Sequence, residues 1–152
     1  MNITLCGSIA FIDEMDTVRE ELEGLGHVVK LPPLEILDER TGKMMPVKEY
    51  YALRKSAVVS DTWVWQKKAE AMRNHFDKVA WSEAVLVCNY AKNGVSGYIG
   101  ANTLLEMGLA FHLKKPIYML ESIPELAYTE EILGMQPVVL SGELEGISRG
   151  VS

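Results

Sequence analysis

Residues 84–89 read AVLVCN, an apolar run with no polar side chain until its last position. A strand with one wet face alternates apolar and polar residues, so this run predicts a strand covered on both faces. Such strands belong to parallel sheets, in which crossover helices shield the two sides. The flanking segments supply the matching elements. NITLC at 2–6 ends in Gly7-Ser8 and precedes an amphipathic segment from about Asp13 to Leu25, which reads as strand, turn and helix. Gly26 stops that helix, HVVKL forms a second strand, and Pro32-Pro33 ends it. From Asp61, a suitable N-cap, Trp63, Ala69, Met72, Phe76 and Val79 recur at helical intervals and predict one long helix. After AVLVCN come a glycine-rich loop, a helix over 102–113, a strand PIYML at 116–120 and a short strand PVVL at 137–140.

This order predicts an α/β fold of the doubly wound kind, a five-stranded parallel sheet flanked by helices, flavodoxin- or Rossmann-like, with residues 1–152 in a single domain. Residues 34–62 read less clearly. LEILDERTGKMMP is loop-like, whereas VKEYYALRKSAVV has helical spacing. Trp63, Trp65, Tyr50 and Tyr51 are expected in core packing or an interface ahead of stacking on a ligand.

With a net charge of −6 and no run of Lys or Arg, the chain is a poor partner for a nucleic acid polymer. It starts without a basic region and has no apolar stretch near the eighteen or so residues that span a bilayer, so a cytoplasmic protein without membrane contact is expected. Cys6 and Cys88 sit in apolar strands and read as free buried thiols. His27, His75 and His112 lack ligand spacing, and neither a metal nor a cofactor is expected.

Ligands in such folds bind at the carboxyl ends of the strands. Those ends are Gly7-Ser8, Asn89 to Gly100, and Met119 to Ser122. Beside them lies Glu106, a carboxylate within an apolar helix, on a stripe with Asn102, Thr103 and Ala110. That stripe faces a polar cleft while Leu104, Leu105 and Phe111 are expected in the core, with Asn102 and Thr103 as helix caps. Asp77 lies near the end of the long helix, where a negative charge is unfavourable, and reads as a second carboxylate supporting Glu106. His75 is two residues away and cannot share its face, so no His–Asp relay is expected. No Arg follows Gly7-Ser8-Ile9, and Asp13 and Asp16 occupy the next helix start, which favours an uncharged end group over a phosphate. GYIGAN and TGK complete neither a dinucleotide fingerprint nor a triphosphate loop.

CGSIA after the first strand, NHFDKVAWSEAVLVCNY around Asp77, and GANTLLEMGLAFHLKKPIYML around Glu106 resemble the nucleoside 2-deoxyribosyltransferase-like proteins, which include deoxynucleoside 5′-monophosphate N-glycosidases. The resemblance implies that Glu106, in its ExGxA pattern, is the nucleophile that attacks the anomeric carbon. It implies that Asp77 acts on the nucleobase as proton donor or orienting group. Substrate would lie against Gly7, Ser8, Ile9, Ala10, Asn89, Gly100, Asn102 and Thr103. The implied reaction is cleavage or transfer at the N-glycosidic bond of a (deoxy)nucleoside or nucleoside 5′-monophosphate through a covalent ribosyl-glutamate. The implied assembly is a homo-oligomer, dimer or higher, with Tyr128 or Ser122 reaching a neighbour's site. Gly100 stands where the family has an acidic or hydroxyl residue, Thr4 where it has a tyrosine, and its phosphate-binding cation has no counterpart here. These departures keep a second expectation open, a nucleotide- or nucleoside-binding sensor without chemistry.

Overall fold

The computed structural model describes residues 1–149. Strand β1 (Asn2–Cys6) leads through a single 3₁₀ turn into helix α1 (Ile12–Gly24) and strand β2 (Val28–Lys30). A hairpin of β3 (Glu35–Asp38) and β4 (Lys43–Pro46) follows, then helices α2 (Val47–Ser56) and α3 (Thr62–Trp81). The second half runs β5 (Ala84–Val87), α4 (Ala101–His112), β6 (Ile117–Met119), α5 (Thr129–Gly134), β7 (Val138–Val139) and α6 (Gly146–Arg149). Five strands form one parallel sheet in the order β2-β1-β5-β6-β7. Every residue of β5 and β6 is buried, as the unbroken apolar run required.

Alternation along the strands splits the core in two. Ile3, Leu5 and Leu86 pack with Met15, Val18 and Leu22 of α1 on one face. Cys6, Val85 and Val87 pack with Val79 of α3 and Met107 and Ala110 of α4 on the other. The chain winds from β1 outward through β2, then returns to lay β5 on the opposite side of β1. That reversal opens a crevice outside the carboxyl ends of β1 and β5, where this topology holds ligands.

The loop expected at 34–46 is instead the antiparallel β3–β4 hairpin, pairing Glu35 with Pro46 and Asp38 with Lys43. Its short strands are mostly exposed, so they carry little of the alternation by which a strand is read from sequence. The Asp38 carboxylate closes the turn by accepting from the Arg40 backbone N–H at 3.0 Å and guanidinium at 3.1 Å. Asp61 is the N-cap residue of α3, as expected, but its carboxylate makes no cap hydrogen bond and accepts instead from Val58 N at 2.8 Å. The aromatic residues knit α2 to α3. Tyr50 is buried edge-on to Trp63 and donates its hydroxyl to Val64 O, and Trp65 donates to Val58 O.

Helix α4 is rotated from the expected setting. Its buried stripe is Thr103, Glu106, Met107 and Ala110, an i, i+3, i+4, i+7 set, while Leu105 and Phe111 are each 52% exposed. Gly100 is the N-cap, and neither Asn102 nor Thr103 caps the helix. Glu106 therefore lies in the contact between α4, α3 and the sheet, at 3% exposure.

Candidate active site

A cavity of about 750 Å³ sits in the crevice. The glycine turn after β1 (Gly7, Ser8, Ile9) and the start of α4 (Gly100 to Thr103, with Glu106) form its floor side, α3 forms a wall, and the hairpin and α2 complete the enclosure. Gly7 is needed where it stands, since a Cβ there would meet the Cys88 carbonyl at 3.0 Å. Six of the chain's fifteen Lys and Arg residues line this one cavity: Arg54, Lys55, Lys67, Lys68, Lys78 and Lys92. Five carboxyl groups accompany them: Glu35, Glu39, Glu70, Asp77 and Glu106. An acidic protein thus carries a cation-rich pocket.

Glu106 is held by a directed chain of donors. Lys68 Nζ donates to Asn102 Oδ1 at 3.2 Å, which fixes the amide with its NH2 toward Glu106 Oε1 at 3.3 Å. The other oxygen, Oε2, faces His75 Nε2 at 3.3 Å. Burial pushes the Glu106 carboxyl up to about 8 against the pull of Lys68 and a hydrogen bond from Cys6. Burial, helped by Lys78, pushes His75 down to about 4, with the Leu5 backbone opposing. Burial thus favours a carboxylic acid beside a neutral imidazole over the charged pair.

Cys6 joins this pair, and one donor atom from each of Cys6, His75 and Glu106 lies within 4.8 Å of the others. Thiol, imidazole and carboxylate are also the donor types of zinc sites. Here burial, reinforced by Glu106, raises the thiol well above its ordinary range. A cation would have to strip protons from two groups whose surroundings hold them neutral. The trio is built to keep protons.

At the opposite end, Lys92 Nζ donates to Ser8 Oγ at 2.9 Å and to Tyr51 OH at 2.7 Å. Arg54, Lys55 and Lys92 all lie about the Tyr51 ring, 5.0 to 5.2 Å from its centre. Although burial would raise it, hydrogen bonds from Lys92, Lys55 and Ser8 bring the Tyr51 phenol down to about 8. The cation that the glycine turn lacks in sequence arrives from the loop after β5.

The fold recurs in solved structures. The chain is similar to a conserved protein from Enterococcus faecalis V583, with a TM-score of 0.54 and 15% identity over 97% of this chain and 95% of that one. A CMP N-glycosidase, BcmB, from Clostridium botulinum aligns over 98% and 97% of the two chains at a TM-score of 0.49 and 12% identity. A 2-deoxyribosyltransferase from Bacillus psychrosaccharolyticus aligns over 79% and 72% at 0.49 and 16%. No protein-family model matches the chain, and no curated protein matches it in sequence. At these identities the likeness is one of fold.

Within that fold, Gly7, Ser8, Ile9, Gly100, Asn102, Thr103, Asp77 and Glu106 line one cavity, whereas Ala10 and Asn89 do not. Asn89 is fully buried, and its side chain ties the loop after β5 to the one after β6 through Gly97, Glu121 and Ser122. Asp77 is exposed at the cavity wall, and among the described residues it is His75 that reaches Glu106. Thr4 spends its hydroxyl on Lys78 O at 2.7 Å. His75 has no ligand spacing to His27 or His112 and cannot share a helix face with Asp77, so neither relation marks it in the sequence. Its signal was its place among Val64 and Val79 on the buried stripe of α3, the one imidazole on an otherwise apolar face.

Proposed function

We propose that this chain is an enzyme that cleaves or transfers the N-glycosidic bond of a nucleoside 5′-monophosphate, or of the parent (deoxy)nucleoside, with Glu106 as nucleophile. One observation carries the reading: a carboxyl group is kept at 3% exposure, with Asn102, His75 and Cys6 around it, yet opens onto the ligand crevice of the fold. Packing alone does not account for it, because a buried carboxyl costs several kcal/mol that an apolar side chain would not. Attack by Glu106 on the anomeric carbon gives a ribosyl ester, and water or a second base then resolves it. Asp77, on the cavity wall, takes the base-orienting role, with Gly7, Ser8, Ile9, Gly100, Asn102 and Thr103 against the sugar and its 5′ end.

The Lys92, Ser8 and Tyr51 cluster favours a 5′-phosphate over the uncharged end group that the sequence suggested. Lys92→Met should raise KM for a 5′-monophosphate by about tenfold or more, the size of a lost charge-assisted hydrogen bond, and leave that for the nucleoside nearly unchanged. Equal effects on the two would place the phosphate elsewhere.

A second reading, binding without turnover, is favoured by the protonated state of Glu106, since a carboxylic acid is a weak nucleophile. The deciding experiment is chromatographic detection of free base from ribo- and deoxynucleosides and their 5′-monophosphates. Base release supports the enzyme; no release from any compound, with a raised melting temperature in its presence, supports the binding protein.

A further inference from the structure

The pairing of Glu106 with His75 leaves two atoms without partners unless a proton lies between them. Glu106 Oε2 and His75 Nε2 are both buried and have no hydrogen-bond partner beyond the weak donor that the Cys6 thiol offers the carboxyl, while they face each other at 3.3 Å. The Lys68–Asn102 chain fixes Oε1 as the acceptor of an amide N–H, so the acid proton belongs on Oε2, pointing at the imidazole. His75 and Glu106 also line the same cavity, so the ring borders the space that a substrate would fill.

Resting on the reading above, we propose that His75 is the acid–base residue of the reaction, receiving the Glu106 proton as substrate enters and delivering it to the departing base. As substrate enters, the proton passes from Oε2 to Nε2 across the 3.3 Å contact, and the carboxylate so formed makes its C–O bond to the anomeric carbon. The C–N bond breaks, its electron pair leaves with the base, and the imidazolium protonates the base nitrogen, leaving a ribosyl ester and neutral His75. In the second half, Nε2 takes a proton from the incoming water or acceptor, a new bond forms at the anomeric carbon, and the ester C–O bond breaks. Glu106 leaves as a carboxylate and regains its proton from the imidazolium. Retaining enzymes hold the two groups about 5–5.5 Å apart around a bound sugar, so on this proposal the pair separates by about 2 Å once the proton has passed and closes again as product leaves.

The pH profile follows from the proton count. Activity needs one proton on the pair, which belongs to both groups jointly. It falls as a second proton enters near about 4 and as the first is lost near about 8. The groups that act on the pair are Cys6, Asn102, Lys68 and Lys78. Tyr51 also titrates at about 8, and Tyr51→Phe separates its contribution from that of Glu106.

The test compares wild type, His75→Asn, His75→Gln and Asp77→Asn on two leaving groups. One is an ordinary purine nucleotide, whose base must be protonated as it departs. The other is its N7-methylated form, whose base leaves neutral without a proton. The expected result is a loss of about 10²- to 10⁴-fold for both His75 variants on the first substrate and less than about tenfold on the second. Equal losses on both substrates by a folded variant, checked by circular dichroism, would reduce His75 to positioning Glu106. A leaving-group-dependent loss in Asp77→Asn would move the acid there. A substrate-free readout separates this proposal from the reading beneath it: the carboxyl carbon resonance of Glu106 in wild type should titrate near about 8. A midpoint at its ordinary 4.5 would overturn the shared proton whether or not base is released.

Discussion

Glu106→Gln should release no free base above background, a loss of at least about 10³-fold, because an amide cannot form the ribosyl ester. The same variant should be more stable than wild type. The folded carboxyl titrates at about 8 and the unfolded one near its ordinary 4.5, so between these values the folded protein holds a proton that the unfolded chain has lost. Stability then falls as pH rises across that window. At pH 7 the penalty is about 3 kcal/mol, from roughly 2.5 pH units at about 1.4 kcal/mol each. Gln has nothing to lose, so its advantage should grow from near zero below pH 4.5 toward a maximum at about 8. His75 acts with the opposite sign. Its folded value of about 4 lies below its ordinary 6.5, so it adds stability as pH rises through that range. In wild type the two nearly cancel up to pH 6.5, and the net decline begins above it. Urea melts of both proteins at pH 5, 7 and 8 read this directly. A gap that stays constant with pH would show that Glu106 is ionised in the folded state.

Asn89→Ala should lower stability by about 3 to 5 kcal/mol. Its amide donates to the carbonyls of Gly97, Glu121 and Ser122 at 3.4, 3.2 and 3.0 Å and accepts from Glu121 N at 2.9 Å. The residue is fully buried, and each backbone group left dry costs about 1–3 kcal/mol. Gly97 belongs to the same junction. It holds φ +68, and a Cβ would stand 2.3 Å from Ser122 O, so this glycine lets two loops close on each other. In a domain of this size the loss corresponds to a melting temperature lower by roughly 10 °C. If the melting temperature holds and ligand affinity falls instead, Asn89 is a binding residue as its place at a strand end suggested.

The sheet was legible because its signal is local. AVLVC and NITLC announce buried strands by composition alone, and glycine or proline marks where each stops. The hairpin was not, because four-residue strands with mostly exposed faces leave no pattern to read. The setting of α4 was misread for a related reason. Leu105 and Phe111 looked like core by chemistry, but Thr103, Glu106, Met107 and Ala110 are the stripe that fits against α3 and the sheet. Glu106 and Asn102 on its stripe could be found from the sequence, whereas the partners from other elements could not. Lys92 meets Ser8 across 84 residues of chain, and His75 meets Glu106 from another helix, contacts that exist only once the fold has formed.

The hairpin and α2 enter the chain as one segment between β2 and α3, and they carry Tyr51, Arg54 and Lys55, while Glu106 and His75 stand on helices packed against the sheet. On the proposed reading, the contacts to the 5′ end from Tyr51, Arg54 and Lys55 are thereby written on a stretch of sequence apart from the reacting groups. Selection on residues 35–56 can exchange one substrate for another without disturbing the reacting groups, so descendants of such a chain are expected to diverge in what they accept sooner than in what they do to it.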